Sequence, residues 1–185
     1  SFRSRSPVNV VGEMKECVDM GIKEIFIIDD TFTVDKKRVL GICEEIKRID
    51  LPVSWDIRAR LDTVDVDMLR RLKGCGCDRI HFGIESGDER ILGIIRKGIS
   101  IRSVKGIFKA ARDIGITTLA YFMLGLPSEK REEIERTIDF AIEINPDYAQ
   151  FSIATPFPET DFYKMGLENK IFTHDYWKEF AERPL

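Results

Sequence analysis

Apolar and polar positions along the chain alternate between two periods, and the alternation itself repeats. Glu24-Ile25-Phe26-Ile27-Ile28 is an apolar run too short for a helix and rich in β-formers. Val53 to Ala59 keeps a strict period of two, with Val53, Trp55, Ile57 and Ala59 against Ser54, Asp56 and Arg58. Asp78 to Glu85 does the same, setting Ile80, Phe82 and Ile84 against Arg79, His81, Gly83 and Glu85. Thr117 to Leu124 and Tyr148 to Ile153 complete the strand-like runs, with Gln150 and Ser152 repeating the polar face more weakly. Between them the spacing turns helical. Ser6 and Pro7 open a helix that stops at Gly21, and Asp35 to Arg48 carries Val39, Ile42, Cys43 and Ile46 on one stripe. Val66 to Lys73 is closed by Gly74. A helical stretch after Glu85 breaks near Gly98, restarts at Ser100 and runs to Gly115. A last long helix, from about Glu129 to Ile144, is halted by Asn145-Pro146.

Strands separated by single crossover helices make a parallel sheet of right-handed βαβ units. A doubly wound sheet would be apolar on both faces, and these strands are apolar on one only. A closed eight-stranded barrel fills its bore with branched aliphatics and needs roughly 250 residues, more than the 185 present. The expected architecture is therefore α/β: a partial, open (β/α) TIM-like barrel of about five parallel strands, a single domain over residues 1–185, with a polar bore. Residues 156–185 form an aromatic tail with two short helices.

Composition narrows the classes. With 29 basic against 32 acidic residues, no global positive field exists to gather nucleic acid or an anionic membrane surface. No apolar run approaches the roughly 20 residues of a membrane span, and no signal-type segment opens the chain. Four cysteines in that setting fit a reducing cytoplasm better than a disulfide framework.

Ligand sites of parallel α/β folds lie at the C-terminal strand ends. Those ends hold Asp29 and Asp30, Arg58 and Arg60, Glu85 and Ser86, Gly125-Leu126-Pro127, and Thr155. Guanidinium groups among carboxylates suit a zwitterionic small molecule, and a glycine lets a flat ring approach the backbone. The plainer reading makes Asp56, Arg58, Arg79 and Glu85 a cross-strand ion-pair network, and Gly125 a simple turn with Ser128 capping the next helix. Cys17 and Cys43 fall on apolar helix faces, and Cys75-Gly76-Cys77 alone is a weak metal motif. His81 reads as an inward core histidine and His174 as a surface one.

Five motifs in order carry a resemblance: Arg3-Ser4-Arg5-Ser6-Pro7, Ile28-Asp29-Asp30-Thr31-Phe32, Trp55-Asp56-Ile57-Arg58-Ala59-Arg60, Phe82-Gly83-Ile84-Glu85-Ser86-Gly87 and Met123-Leu124-Gly125-Leu126-Pro127. The chain resembles the radical S-adenosylmethionine (SAM) superfamily, most closely the subgroup often fused to a cobalamin-binding domain. The resemblance implies a (β/α)6 partial barrel in which a [4Fe-4S] cluster reduces SAM to methionine and a 5'-deoxyadenosyl radical. It places Asp30 at the methionine amine, Arg58 or Arg60 near the SAM carboxylate, Glu85 and Ser86 at ribose and amine, and Gly125 behind the adenine. Cobalamin joins SAM and the cluster as a cofactor where its domain precedes.

The superfamily's Cys-x3-Cys-x2-Cys motif is absent, since Cys17, Cys43, Cys75 and Cys77 do not have that spacing. With a Ser at position 1 and an opening at the first helix, the expectation is a chain lacking the first strand and the cluster loop. It is then the SAM-facing fragment of an oxidoreductase or methyltransferase, inert by itself, whose first-strand edge at Glu24–Ile28 pairs with a second copy. The alternative is a non-catalytic barrel module that binds a protein through Phe157, Phe162, Tyr163, Phe172, Tyr176, Trp177 and Phe180. A Schiff-base lyase is disfavoured, because no strand carries a lysine.

Overall fold

The computed structural model describes residues 3–172 and 174–183, so the outermost residues of the expected 1–185 domain, and parts of its 156–185 tail, lie outside it. Five strands, β1 (Glu24–Ile27), β2 (Ser54–Ala59), β3 (Cys77–Glu85), β4 (Thr117–Leu124) and β5 (Tyr148–Ile153), form one sheet in sequence order. Every neighbouring pair is parallel. Helices α1 (Pro7–Asp19), α2 (Lys36–Arg48), α3 (Val66–Lys73), α4 (Glu89–Ile94), α5 (Ile101–Ile114) and α6 (Arg131–Ile144) precede or connect the strands. Two short helices, α7 (Asp161–Glu168) and α8 (Tyr176–Glu182), follow β5. The sheet does not close, in agreement with the expected open barrel.

Local chemistry explains the boundaries. The hydroxyl of Ser6 accepts from the Asn9 amide, Asp35 from Arg38 and Asp65 from Met68, each satisfying a free donor of a first helical turn. At the C-termini Gly115 (φ 82°) and Asn145 (φ 45°) take the left-handed conformation that ends a helix. Gly76 lies at φ 90°, and a Cβ there would come within 2.2 Å of the Val53 carbonyl oxygen, so the turn into β3 excludes any side chain. The last long helix starts at Arg131 rather than near Glu129, and its capping position is Lys130 rather than Ser128. The reason is that the Glu129 carboxylate turns back onto the amides of Gly125 and Leu126.

The alternation seen in sequence sorts onto the two faces of the sheet. Trp55, Ile57, Ile80, Phe82, Ile84 and Phe122 are fully buried beneath the helices, with Met68, Leu69, Leu72 and Phe108 packed above them. The Trp55 indole N–H donates to the Cys75 carbonyl at 2.9 Å, so its one polar atom is satisfied. Burying an aromatic or branched side chain of this kind stabilises by about 1.5–3 kcal/mol. The opposite face carries Phe26, Asp56, Arg58, Arg79, His81, Glu85 and Tyr121, and it lines the bore.

Candidate functional site

Two levels of the bore carry chemistry: the rim at the C-terminal strand ends, and a floor below it. On the rim, Glu85 ends β3 in the left-handed region (φ 72°), beside a register shift against β4. Its carboxylate pairs with Lys97 Nζ at 2.7 Å, and both side chains are largely buried. Gly83 makes the room: a Cβ there would lie 2.5 Å from Glu85 Oε1 and 3.0 Å from Lys97 Nζ. Lys97 was not among the sequence candidates. It lies in the loop between α4 and α5, where neither period nor motif marks it.

The other rim residues separate. Arg60 forks onto Asp62 at 3.0 and 2.8 Å and donates to the Lys97 carbonyl, so its guanidinium is committed. That hydrogen bond from Arg60 holds the Asp62 carboxyl below the usual carboxylate range. Arg58 stacks over the Phe26 ring at 5.1 Å and makes no ion pair among the described residues. Asp30 is exposed beside a cavity of about 590 Å³ that Arg3, Arg5, Asp29 and Arg38 also line. Asp29 is held by Arg38 at 3.2 Å. Ser86 is not brought to the rim: it is fully buried, its hydroxyl 3.1 Å from that of Thr137 on α6 and accepting from the Asp88 amide. Gly87 beside it permits this docking, since a Cβ would meet Phe140 at 2.5 Å. Gly125 (φ 79°) is exposed with open space where a Cβ would point, so the turn, not a crowded backbone, demands glycine there.

The floor is a connected cluster. Arg79 pairs with Asp56 at 3.1 Å. His81 Nδ1 lies 2.9 Å from the Tyr121 hydroxyl, Nε2 is 4.0 Å from Asp56, and Phe26 stacks on the ring at 4.9 Å. Burial pushes the His81 pKa down, aided by Arg79 and Arg58 and opposed by Asp56. Burial likewise raises the Asp56 carboxyl, with Arg79 and His81 opposing. Thus only half of the expected cross-strand network forms: Asp56 and Arg79 pair, Glu85 finds Lys97 and Arg58 finds a ring.

The rim's charges are chemically compatible with SAM, whereas the described cysteines are not placed to hold the cluster. A free carboxylate at Asp30, an uncommitted guanidinium at Arg58, the Glu85–Lys97 pair and open backbone at Gly125 complement a zwitterion with an attached nucleoside. Cys43, Cys75 and Cys77 are buried under the helices, Cys17 sits on α1, and no group of described residues could hold a metal ion. Burial raises the Cys77 thiol well above its ordinary value, and Cys75 is raised too by its contact with Cys43. The aromatic tail divides: Tyr163 is buried with its hydroxyl on Asp175, Phe162 packs near Ile91 and Leu126, and the Trp177 N–H donates to the Pro156 carbonyl. Phe157, Tyr176 and Phe180 remain exposed. Among the described residues no helix is long and apolar enough to cross a membrane.

A model of the radical SAM superfamily matches residues 1–141. An uncharacterized methyltransferase of Pyrococcus horikoshii is 38% identical over 181 residues, covering 97% of this chain and 39% of the relative. An anaerobic magnesium-protoporphyrin IX monomethyl ester cyclase of Rubrivivax gelatinosus is 31% identical over 180 residues, covering 96% of the chain and 32% of the relative. Among solved structures, the radical SAM methyltransferase TsrM of Kitasatospora setae, with cobalamin and a [4Fe-4S] cluster bound, superposes with a TM-score of 0.81 at 20% identity. That match covers 90% of this chain and 32% of TsrM. The chain thus spans about two-fifths or less of the curated relatives it matches.

Proposed function

The chain belongs to the radical SAM superfamily, and from that premise we propose that it is the SAM-facing part of an enzyme that cleaves SAM reductively and acts on a substrate held in the bore. The observation that carries the reading is the rim: the largely buried Glu85–Lys97 pair and the open backbone at Gly125 lie at the C-terminal strand ends, above Arg58, whose guanidinium stacks on Phe26 and makes no ion pair among the described residues. Asp30 and Glu85 accept from amine and ribose hydroxyls, Arg58 and Lys97 offer donors to a carboxylate, and the Gly125 strip leaves space for a flat ring. Arg60 acts through Asp62 and the Lys97 carbonyl, fixing the loop that delivers Lys97. Ser86 serves by anchoring α6 rather than by touching SAM.

When bound at a reduced [4Fe-4S] cluster, SAM supplies a 5'-deoxyadenosyl radical. Among the described residues no group could hold a metal ion, and Cys17, Cys43, Cys75 and Cys77 do not have the spacing of the cluster motif. Methyl transfer and cyclisation, the activities named for the two relatives, are both open to the whole protein.

The test is anaerobic iron–sulfur reconstitution of the full-length protein, followed by reduction with SAM present. Release of 5'-deoxyadenosine and methionine, lost in Glu85→Gln with the cluster's absorbance intact, supports the assignment. A loaded, reduced cluster that yields no deoxyadenosine sinks it.

A further inference from the structure

The floor of the bore holds a device that the rim assignment leaves unused. Tyr121 is half-buried on β4 and pairs with Gly83, while the next residue, Phe122, pairs with Glu85 across the register shift, so Tyr121 lies one β4 residue, ~3.3 Å, under the rim. Behind its hydroxyl, at 2.9 Å, stands His81 Nδ1. The other ring nitrogen is buried, has no hydrogen-bond partner, and faces Asp56 Oδ2 at 4.0 Å. A lone pair aimed at a carboxylate is repelled, whereas an N–H there is attracted, so the favoured tautomer carries its hydrogen on Nε2. Nδ1 is then the acceptor and the Tyr121 hydroxyl the donor, which leaves the phenol oxygen's lone pairs for the bore.

We propose that Tyr121 is an activated, proton-accepting hydroxyl of the bore, with His81 as its base, Asp56 as the counter-charge and a substrate O–H or ring N–H as its partner. In the step, the substrate's proton passes to Tyr121 Oη while the tyrosine's own proton passes to His81 Nδ1. The substrate becomes an anion and the imidazole an imidazolium opposite Asp56, with no change of oxidation state. The charged and titratable groups facing His81 are Asp56 and Arg58 from β2, Arg79 from its own strand and Tyr121 from β4, with Phe26 of β1 stacked on the ring. Burial and the two arginines keep the imidazole neutral near pH 7, which is the form that can accept. Calling the partner a substrate rests on the bore being the substrate chamber; the activated hydroxyl itself does not.

The proposal is tested without SAM, cluster or substrate, so its failure is distinct from failure of the SAM assignment. An aryl sulfonyl fluoride forms a sulfonate ester at a tyrosine oxygen, fluoride leaving and the phenol proton going to the base. Labelling of Tyr121 and of the exposed Tyr148 is followed by peptide mass spectrometry as pH varies. Tyr121 is expected to react at least about tenfold faster than Tyr148 near neutrality. Its rate should rise only as His81 deprotonates, below its ordinary value of about 6.5, and then level off. In His81→Gln the plateau is lost and the rate falls to that of Tyr148. Nitrogen-15 NMR of the histidines gives an independent readout and needs no variant: Nδ1 of His81 should be unprotonated at neutral pH. A Tyr121 rate that tracks Tyr148 throughout, or a proton found on Nδ1, overturns the proposal.

Discussion

Individual residues decide what the rim can hold. Gly83 sits under the Glu85–Lys97 pair, where a Cβ would come within 2.5 Å of Glu85 Oε1. Gly83→Ala is therefore expected to part the pair while leaving the helix-facing half of β3 alone. SAM affinity of the cluster-loaded protein should fall about tenfold, near the 1.4 kcal/mol of one charge-assisted hydrogen bond. Equilibrium dialysis with labelled SAM measures it, and unchanged affinity would remove Glu85 from the site. On the other face, Phe82 is fully buried against Phe108 at 5.5 Å between ring centroids. Phe82→Ala should cost about 3–5 kcal/mol in urea unfolding; a loss under about 1 kcal/mol would contradict the packing. Both faces of β3 are legible in sequence, because a period of two is written in residue type. The partner of each charge is not. Glu85 meets Lys97 from a loop, and Ser86 turns to Thr137 on α6, by way of contacts that only the folded chain brings together.

At the scale of elements, an ion cluster ties α4 to α6. Arg90 forks onto Glu133 at 2.5 and 2.6 Å, Glu133 also accepts from the Lys130 amide, and Arg136 donates to Asp88. Foremost among the causes, the Arg90 hydrogen bonds hold the Glu133 carboxyl down to about 2. A folded-state value below the unfolded one, about 4.3, stabilises above the unfolded pKa, and that stability fades as pH falls toward the folded pKa. The wild type should therefore outlast Glu133→Gln in thermal melts at pH 6, and the gap should close between about pH 4.5 and 2. A gap independent of pH would mean that Glu133 acts through packing alone. Two of the helix caps, Ser6 and Ser100, are legible in sequence, while Asp35 and Asp65 show themselves as caps only in the fold. The start of α6 is displaced because Glu129 spends its carboxylate on the Gly125 turn, a long-range choice that no cap rule encodes.

At the scale of the whole molecule, an open sheet has two free edges. Strand order β1-β2-β3-β4-β5 leaves β1 paired on one side only, with Phe26 38% and Ile28 73% exposed. Beside it, Val10, Met14, Ile25 and Ile27 line a cavity of about 240 Å³ under α1. A strand with free amides and carbonyls next to apolar side chains is a template for another strand. Two copies related by a two-fold axis can join β1 to β1 antiparallel, extending both sheets. The isolated chain is accordingly expected to form dimers whose share grows with concentration in light scattering. Lys23 accepts from the Ser54 amide, so the odd residues of β1 face β2 and the free amides belong to Glu24 and Phe26; Glu24→Pro removes one of them and should return the chain to a monomer, with little change in helix content by circular dichroism. The opposite edge, β5, exposes Phe151 and Ile153 and offers a competing contact. Dimers that survive Glu24→Pro would place the junction there, and a monomer at every concentration would show that neither edge associates.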